Sequence, residues 1–281
     1  MNALALQLWN ELYKLFARKR TYLGFGAIVA AECVILRVMS RPQSVAQFRQ
    51  LAAQHGLSFT RYYSGLTLGL EMVMWTSLIL GALFLALVSG DVMSKEVEDG
   101  TLRMLLCRPV SRTRIVALKY ITCVIYTFAL IFFLGATALG AGLLYCGTGG
   151  LLVSSPTEEL FAVHEARAGL ARYCVAMCFL ALSLTSLSSL GFMFSCLKMK
   201  PAVATISTLS IVFVDLTFRR VPFFGSLLPL FLSTHLAAWQ QLFAMRIPWT
   251  RFFQDYSYLL SLDAVCFLFA LLVFRRRDFK A

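Results

Sequence analysis

Six long apolar runs, separated by short polar stretches, leave this chain very few folds. They cover residues 21–38, 70–90, 120–145, 171–197, 202–218 and 256–274. A helix needs about 20 apolar residues to cross a bilayer core. Inside hydrocarbon, each backbone N–H and C=O must find its partner within the segment. The expectation is an all-α polytopic membrane protein, with about six transmembrane helices in a single transmembrane domain over residues 1–281. Composition agrees: 59% of residues are hydrophobic, 14% are charged, and the mean hydropathy is +0.75. A soluble domain carries about 25% charged residues.

The formal net charge of +12 would point to nucleic acid in a soluble protein. Here Lys and Arg gather at the ends of the apolar runs, where anionic membrane lipid and the positive-inside rule account for them. No basic stripe is interleaved with aromatics, so nucleic acid is not an expected partner. The eight cysteines lie mostly inside apolar runs, without C-x-x-C spacing. They read as small hydrophobes rather than a disulfide framework. Residues 1–20 mix polar and apolar positions and lack the apolar core and cleavage site of a signal peptide.

Residues 3–20 are expected to form an amphipathic helix lying in the headgroup plane. Leu4, Leu8, Leu12 and Phe16, with Ala5, Trp9 and Leu15 beside them, would share one face. Gln7, Asn10, Glu11, Lys14 and Arg18 would share the other. Residues 39–69, and the stretch after 145 with Gly147, Gly149, Gly150 and Pro156, read as loops. Residues 219–253 hold Pro222, Pro229 and Pro248 around an apolar stretch containing His235, Gln240 and Gln241. That composition favours an external interfacial or re-entrant region over a seventh span. Six spans put both termini on one side. With the N-terminus inside, most of the 26 basic residues, including every lysine, fall on the cytoplasmic side, as the positive-inside rule requires.

Between the second and third runs lies the one strongly polar stretch, residues 91–119. It contains Asp91, Glu96, Glu98, Asp99, Gly100, Thr101 and Leu102, then Leu105, Leu106, Pro109, Ser111, Arg112 and Lys119. Gly100 can end the acidic turn, and Ser111 is placed to cap a helix running to Lys119. The pattern Asp-x(4)-Glu-x(3)-Gly-Thr-Leu-x(2)-Leu-Leu-x(2)-Pro-x-Ser-Arg-x(6)-Lys resembles the coupling segment of permeases in the type-2 ABC exporter family. The amphipathic N-terminal helix, the span count and the C-terminal Phe274-Arg-Arg-Arg-Asp-Phe279 share that family's layout. The likeness is greatest to single-polypeptide permeases of the kind serving copper-enzyme maturation and peptide-antibiotic export.

The resemblance implies an exporter in a bacterial or archaeal plasma (inner) membrane. Its implied partners are two copies of a P-loop ABC ATPase and a second, identical permease subunit. ATPase docking would fall on Asp91, Glu96, Glu98, Asp99, Gly100, Thr101, Leu102, Leu105, Pro109 and Arg112. The chain has no G-x-x-x-x-G-K-[ST] phosphate loop. No cofactor is therefore expected on this chain, and ATP and magnesium would sit on the partner ATPase.

Glu32, Asp215 and Asp263 lie in or near spans, where a charge costs about 2.5–3.5 kcal/mol on insertion scales. They are candidates for a polar substrate path; the competing readings are an end-of-span position or pairing with Arg37, Arg219 or Arg220. Cys174, Met177 and Cys178 offer soft ligands at helical spacing, but no His or second Cys pair accompanies them, and no metal site is assigned. Ala136/Gly140, Ala138/Gly142 and Ala181/Thr185/Ser189 set small residues four apart, as close helix packing needs. His164-Glu165 lacks the second His of a zinc-protease motif. Two alternatives stand beside the permease. One is a membrane-embedded enzyme in which Glu32, Asp215, Asp263 and His235 converge. The other is a non-transporting assembly component that docks an ATPase.

Overall fold

The apolar runs become six helices long and apolar enough to cross a membrane. The computed structural model describes residues 3–17, 19–101, 111–155, 160–219, 221, 223 and 228–276. Helix α1 (Ala3–Phe16) precedes the first spanning helix, α2 (Lys19–Met39). Two short helices, α3 (Pro42–Gln54) and α4 (Phe59–Tyr62), lead into α5 (Gly65–Glu98). Then come α6 (Arg112–Cys146), a hairpin of β1 (Leu151–Ser155) and β2 (Leu160–His164), α7 (Ala166–Cys196) and α8 (Pro201–Arg219). A short α9 (Leu232–Leu236), a 3-10 segment (Ala238–Phe243) and α10 (Trp249–Arg276) follow. The architecture is the expected all-α polytopic one, with the small hairpin as an addition.

Helix α7 is the hub, the most buried of the six spans. Its sequence explains why: Ser, Thr, Ala and Gly recur along it, and small side chains let helices approach closely. A Cβ added at Gly191 would collide with Ser89 of α5. Several of the α7 hydroxyls are satisfied within or between helices. Thr185 and Ser189 donate back to the carbonyls of Ala181 and Thr185, at 2.9 and 3.0 Å. Others reach across, Ser188 to Thr127 of α6 at 2.7 Å and Ser183 to Tyr256 of α10 at 2.9 Å.

The second close seam joins α5 to α6. A Cβ on Gly65 would stand 2.6 Å from the Cα of Leu143, and one on Gly142 would strike the Gly65 carbonyl. Ala138 and Gly142 therefore serve packing within the subunit, whereas Gly140 meets open space. Halfway along, Ser77–Gly81 of α5 winds as a π-helical turn, a local defect common at functional sites. The peripheral spans bury narrow stripes only. In α2 the stripe is Thr21, Gly24, Ile28 and Glu32, and in α10 it includes Leu259, Asp263, Cys266 and Ala270.

Three local expectations change. Helix α5 runs on to Glu98 and α6 begins at Arg112, so the described parts of 91–119 are mostly helical extensions of spans. Residues 39–69 are largely helical, with Pro42 in the first turn of α3, where its missing N–H costs nothing. The stretch after 145 pairs Leu151 with His164 in an antiparallel hairpin. Its glycines mark a tight entry: Gly147 adopts φ +71°, and the apolar runs on either side of the turn supply the strands.

Candidate coupling site at the charged face

The two described flanks of the 91–119 stretch meet in an ion network. Lys119 of α6 has a side chain only 2% exposed. Its Nζ donates to Glu11 Oε2 of α1 at 2.8 Å and stands 2.7 Å from Glu96 Oε1 of α5. Lys14 closes the ring, 3.0 Å from Glu11 and 3.8 Å from Glu96. Two acids and two lysines balance, so three helices are clamped at one end by a buried Lys119–Glu96 pair, with Glu11 partly buried and Lys14 half exposed at its edge. Burial alone would raise the Glu11 carboxyl, but Lys119 and Lys14 together hold it below the usual carboxylate range. Close by along the chain, Arg20 at the start of α2 pairs with Asp91 at 3.2 Å.

Two of the ten expected docking residues thus turn inward. Asp91 and Glu96 are buried and paired within the subunit, so as the structure stands they brace the face instead of presenting it. Glu98, Asp99, Gly100 and Thr101 are exposed. Helix α5 ends there because Gly100 takes φ +70°, a left-handed conformation that glycine adopts without steric cost. Thr101 donates back to the Glu96 carbonyl at 3.3 Å. On the far side of the segment, Ser111 caps α6 by accepting from the Arg114 N–H. Arg112 is exposed and donates to the Arg275 carbonyl at 3.2 Å, bringing the end of α10 to the same face. Leu102, Leu105 and Pro109 lie outside the described residues.

Helix α1 presents a mixed stripe to the protein. Gln7, Leu8, Glu11, Leu12, Leu15 and Phe16 are its less exposed positions, while Leu6, Trp9 and Tyr13 face out. Glu11 is therefore an inward group, and Trp9 and Tyr13 are outward aromatics of the kind that settle at membrane interfaces. Lys119 closed the sequence motif, but its two acidic partners sit 108 and 23 residues away, and spacing alone could not pair them.

The membrane acids occupy separate seams. Glu32 is buried on α2 and accepts from Thr137 of α6 at 3.1 Å. Asp263 is buried on α10 near Tyr120 of α6 and the α7 serines 186 and 189. Thr137 and Tyr120 stand 17 residues apart on one helix, about 25 Å, so Glu32 and Asp263 do not share a site. Asp215 instead accepts from the Leu232 and Ser233 N–H groups at 2.8 and 2.7 Å, holding the start of α9. Arg219 donates to the Ser233 carbonyl at 3.0 Å. His235 joins Asp255, not Glu32 or Asp263. The convergence that a membrane enzyme would need is not assembled.

Cys174 and Cys178 are exposed while Met177 is buried against Gly135, so the three sulfurs do not share a face. Glu71 of α5, unmarked in the sequence reading, is a further half-buried membrane acid.

Comparison with known proteins agrees with this layout. The family model described as "ABC-2 family transporter protein" matches residues 7–197. Over 74 residues the chain is 39% identical to "Uncharacterized protein YhcI" of Bacillus subtilis (strain 168). That alignment covers 26% of this chain and 23% of the relative. The matched region takes in α1, the ion network and the first four spans, and the chain belongs to the ABC-2 family of transporter proteins.

Proposed function

We propose that this chain is the permease subunit of an ABC exporter, driven by a separate ATPase that grips the exposed turn after α5. Glu98, Asp99, Gly100 and Thr101 supply its described surface, with Arg112 at the exit and Leu102, Leu105 and Pro109 between them. Two identical permeases and two ATPases form the working unit, and ATP and magnesium belong to the ATPase. The assembly sits in a bacterial or archaeal plasma membrane with both permease termini in the cytoplasm.

The observation that carries this reading is the clamp directly beneath the turn. A partner can move spans only if its grip is joined stiffly to them. Lys119, held by Glu11 and Glu96, ties the turn to α1, α5 and α6 at once. Asp91 and Glu96 act in this scheme as braces.

Affinity purification from the native membrane tests it. A P-loop ATPase should come with the chain in near-equal amount and be lost in Asp99→Lys with Gly100→Trp, while membrane insertion is unchanged. Recovery of the unaltered chain alone, in a detergent that keeps known transporter complexes whole, would refute the reading.

A further inference from the structure

We infer that the subunit carries a binding site for a single-chain amphiphile with an acceptor-rich head, between α5, α7 and α8 beneath α9. A cavity of about 310 Å³ lies there, at the lower end of the size range of small-molecule sites. Its body is apolar, walled by Leu184 and Leu187 of α7, Val212 and Leu216 of α8, and Leu78 of α5. Leu78 belongs to the π turn. It is 45% exposed, which places the rim of the cavity at the surface of the span.

The other end is polar, formed by Arg219, Ser233 and Gln240. All three bring donors. The Gln240 carbonyl oxygen already accepts from Ser155 at 2.8 Å, which turns its amide N–H groups to other use. Arg219 donates to the Ser233 carbonyl and brings a guanidinium charge to this end of the cavity. The Ser233 hydroxyl is buried and has no hydrogen-bond partner among the described residues, a state that costs about 1–3 kcal/mol. Asp215, the nearby acid, has both carboxylate oxygens engaged by backbone N–H groups. An apolar slot ending in donors and a guanidinium fits an alkyl chain bearing a carboxylate or phosphate.

The site is argued independently of the exporter reading; that its occupant is cargo rests on that reading. The test uses the purified chain in phosphatidylcholine nanodiscs and dodecyl phosphate carrying a diazirine on its chain. Labelling should map to the π turn of α5 and to Val212 and Leu216. It should be displaced by plain dodecyl phosphate and fall at least about tenfold in Ala82→Trp and in Val212→Phe, two variants that need not misfold together. Arg219→Gln should weaken competition about tenfold, the scale of 1.4 kcal/mol.

Labelling spread evenly over outward residues such as Ile206 and Phe213, and unchanged in folded variants, would overturn the site. Where the site is confirmed, adding the co-purified ATPase with ATP separates the two sources. Cargo leaves on turnover, and a resident lipid stays. Absence of any ATPase would remove the exporter reading and leave the site standing.

Discussion

Lys119 shows how much one side chain can hold. A buried ion pair is weak evidence for net stability, because desolvation offsets the attraction, yet removing one partner strands the other and costs about 3–5 kcal/mol. Lys119→Met should therefore lower the thermal midpoint in detergent by leaving Glu11 and the buried Glu96 to share the half-exposed Lys14. Adding Glu11→Gln and Glu96→Gln should restore most of the loss. If the triple variant melts as low as the single one, the charges are not the cause.

His235 makes a second residue-scale case. Its Nδ1 lies 2.8 Å from Asp255 Oδ1 and its Nε2 2.9 Å from the Pro229 carbonyl. Both neighbours are acceptors, so both ring nitrogens donate and the ring is a cation, stacked on Tyr258 at 4.1 Å. Burial alone would lower its pKa, but the Asp255 and Pro229 contacts, with the Asp215 charge beyond, raise it above 6.5. The folded value lies above the unfolded one. The stabilisation is therefore complete below about 6.5 and lost as pH rises through the raised value. Thermal midpoints should fall across that window in the parent chain, and His235→Gln should lie lower at acid pH and respond less. Equal pH slopes in the two proteins would refute the cationic assignment.

At the scale of elements, close helix approach makes the sharpest claim. Gly142 and Gly140 look alike in sequence, two residues apart on α6. A Cβ at Gly142 strikes the Gly65 carbonyl, and one at Gly140 meets nothing. Overpacking a tight seam costs about 1–3 kcal/mol, whereas Gly to Ala in a helix gains up to about 1 kcal/mol. Gly142→Ala should thus lower the melting temperature and Gly140→Ala hold or raise it, measured by thermal unfolding in one detergent. The reverse order would mean α5 and α6 do not meet there.

The same scale shows which elements were legible. All six spans were, because each needs a sustained apolar run, and the one competing apolar stretch, within 219–253, is broken by Pro229, His235, Gln240 and Gln241. Their ends were not. Hydropathy treats Glu96 and Lys119 as residues for water, but once paired they ride inside helices that continue past the apolar run. The inward face of α1 was legible in Leu8, Leu12, Leu15 and Phe16, which share it as expected, but Glu11 looks solvent-bound until Lys119 is known to reach it. The hairpin was hidden by its glycines. Of the site, the acidic turn and its Gly100 stop were readable from the motif alone. The inward turn of Asp91 and Glu96 depends on contacts between distant segments.

For the whole molecule, the question is which face meets the cytoplasm. Helix α1 meets the ends of α5 and α6 through the clamp, and Arg112 reaches the last turn of α10. With the turn between α7 and α8, bearing exposed Lys198 and Lys200, these form one basic end. The opposite end holds α3 and the hairpin, joined where His55 stacks on Phe161 at 4.0 Å and Arg61 pairs with Glu165 at 3.2 Å. Lysines are scarce in this chain, and Lys14, Lys95, Lys119, Lys198 and Lys200 all gather at the first end. The positive-inside rule then predicts that this end faces the cytoplasm. In a cysteine-free background, Asp99→Cys and Lys198→Cys should resist a membrane-impermeant maleimide in intact spheroplasts and react after lysis. His55→Cys and Arg61→Cys should react before lysis. Labelling of Asp99→Cys in intact spheroplasts would turn the molecule over, and the exposed acidic turn would then face away from any cytoplasmic ATPase.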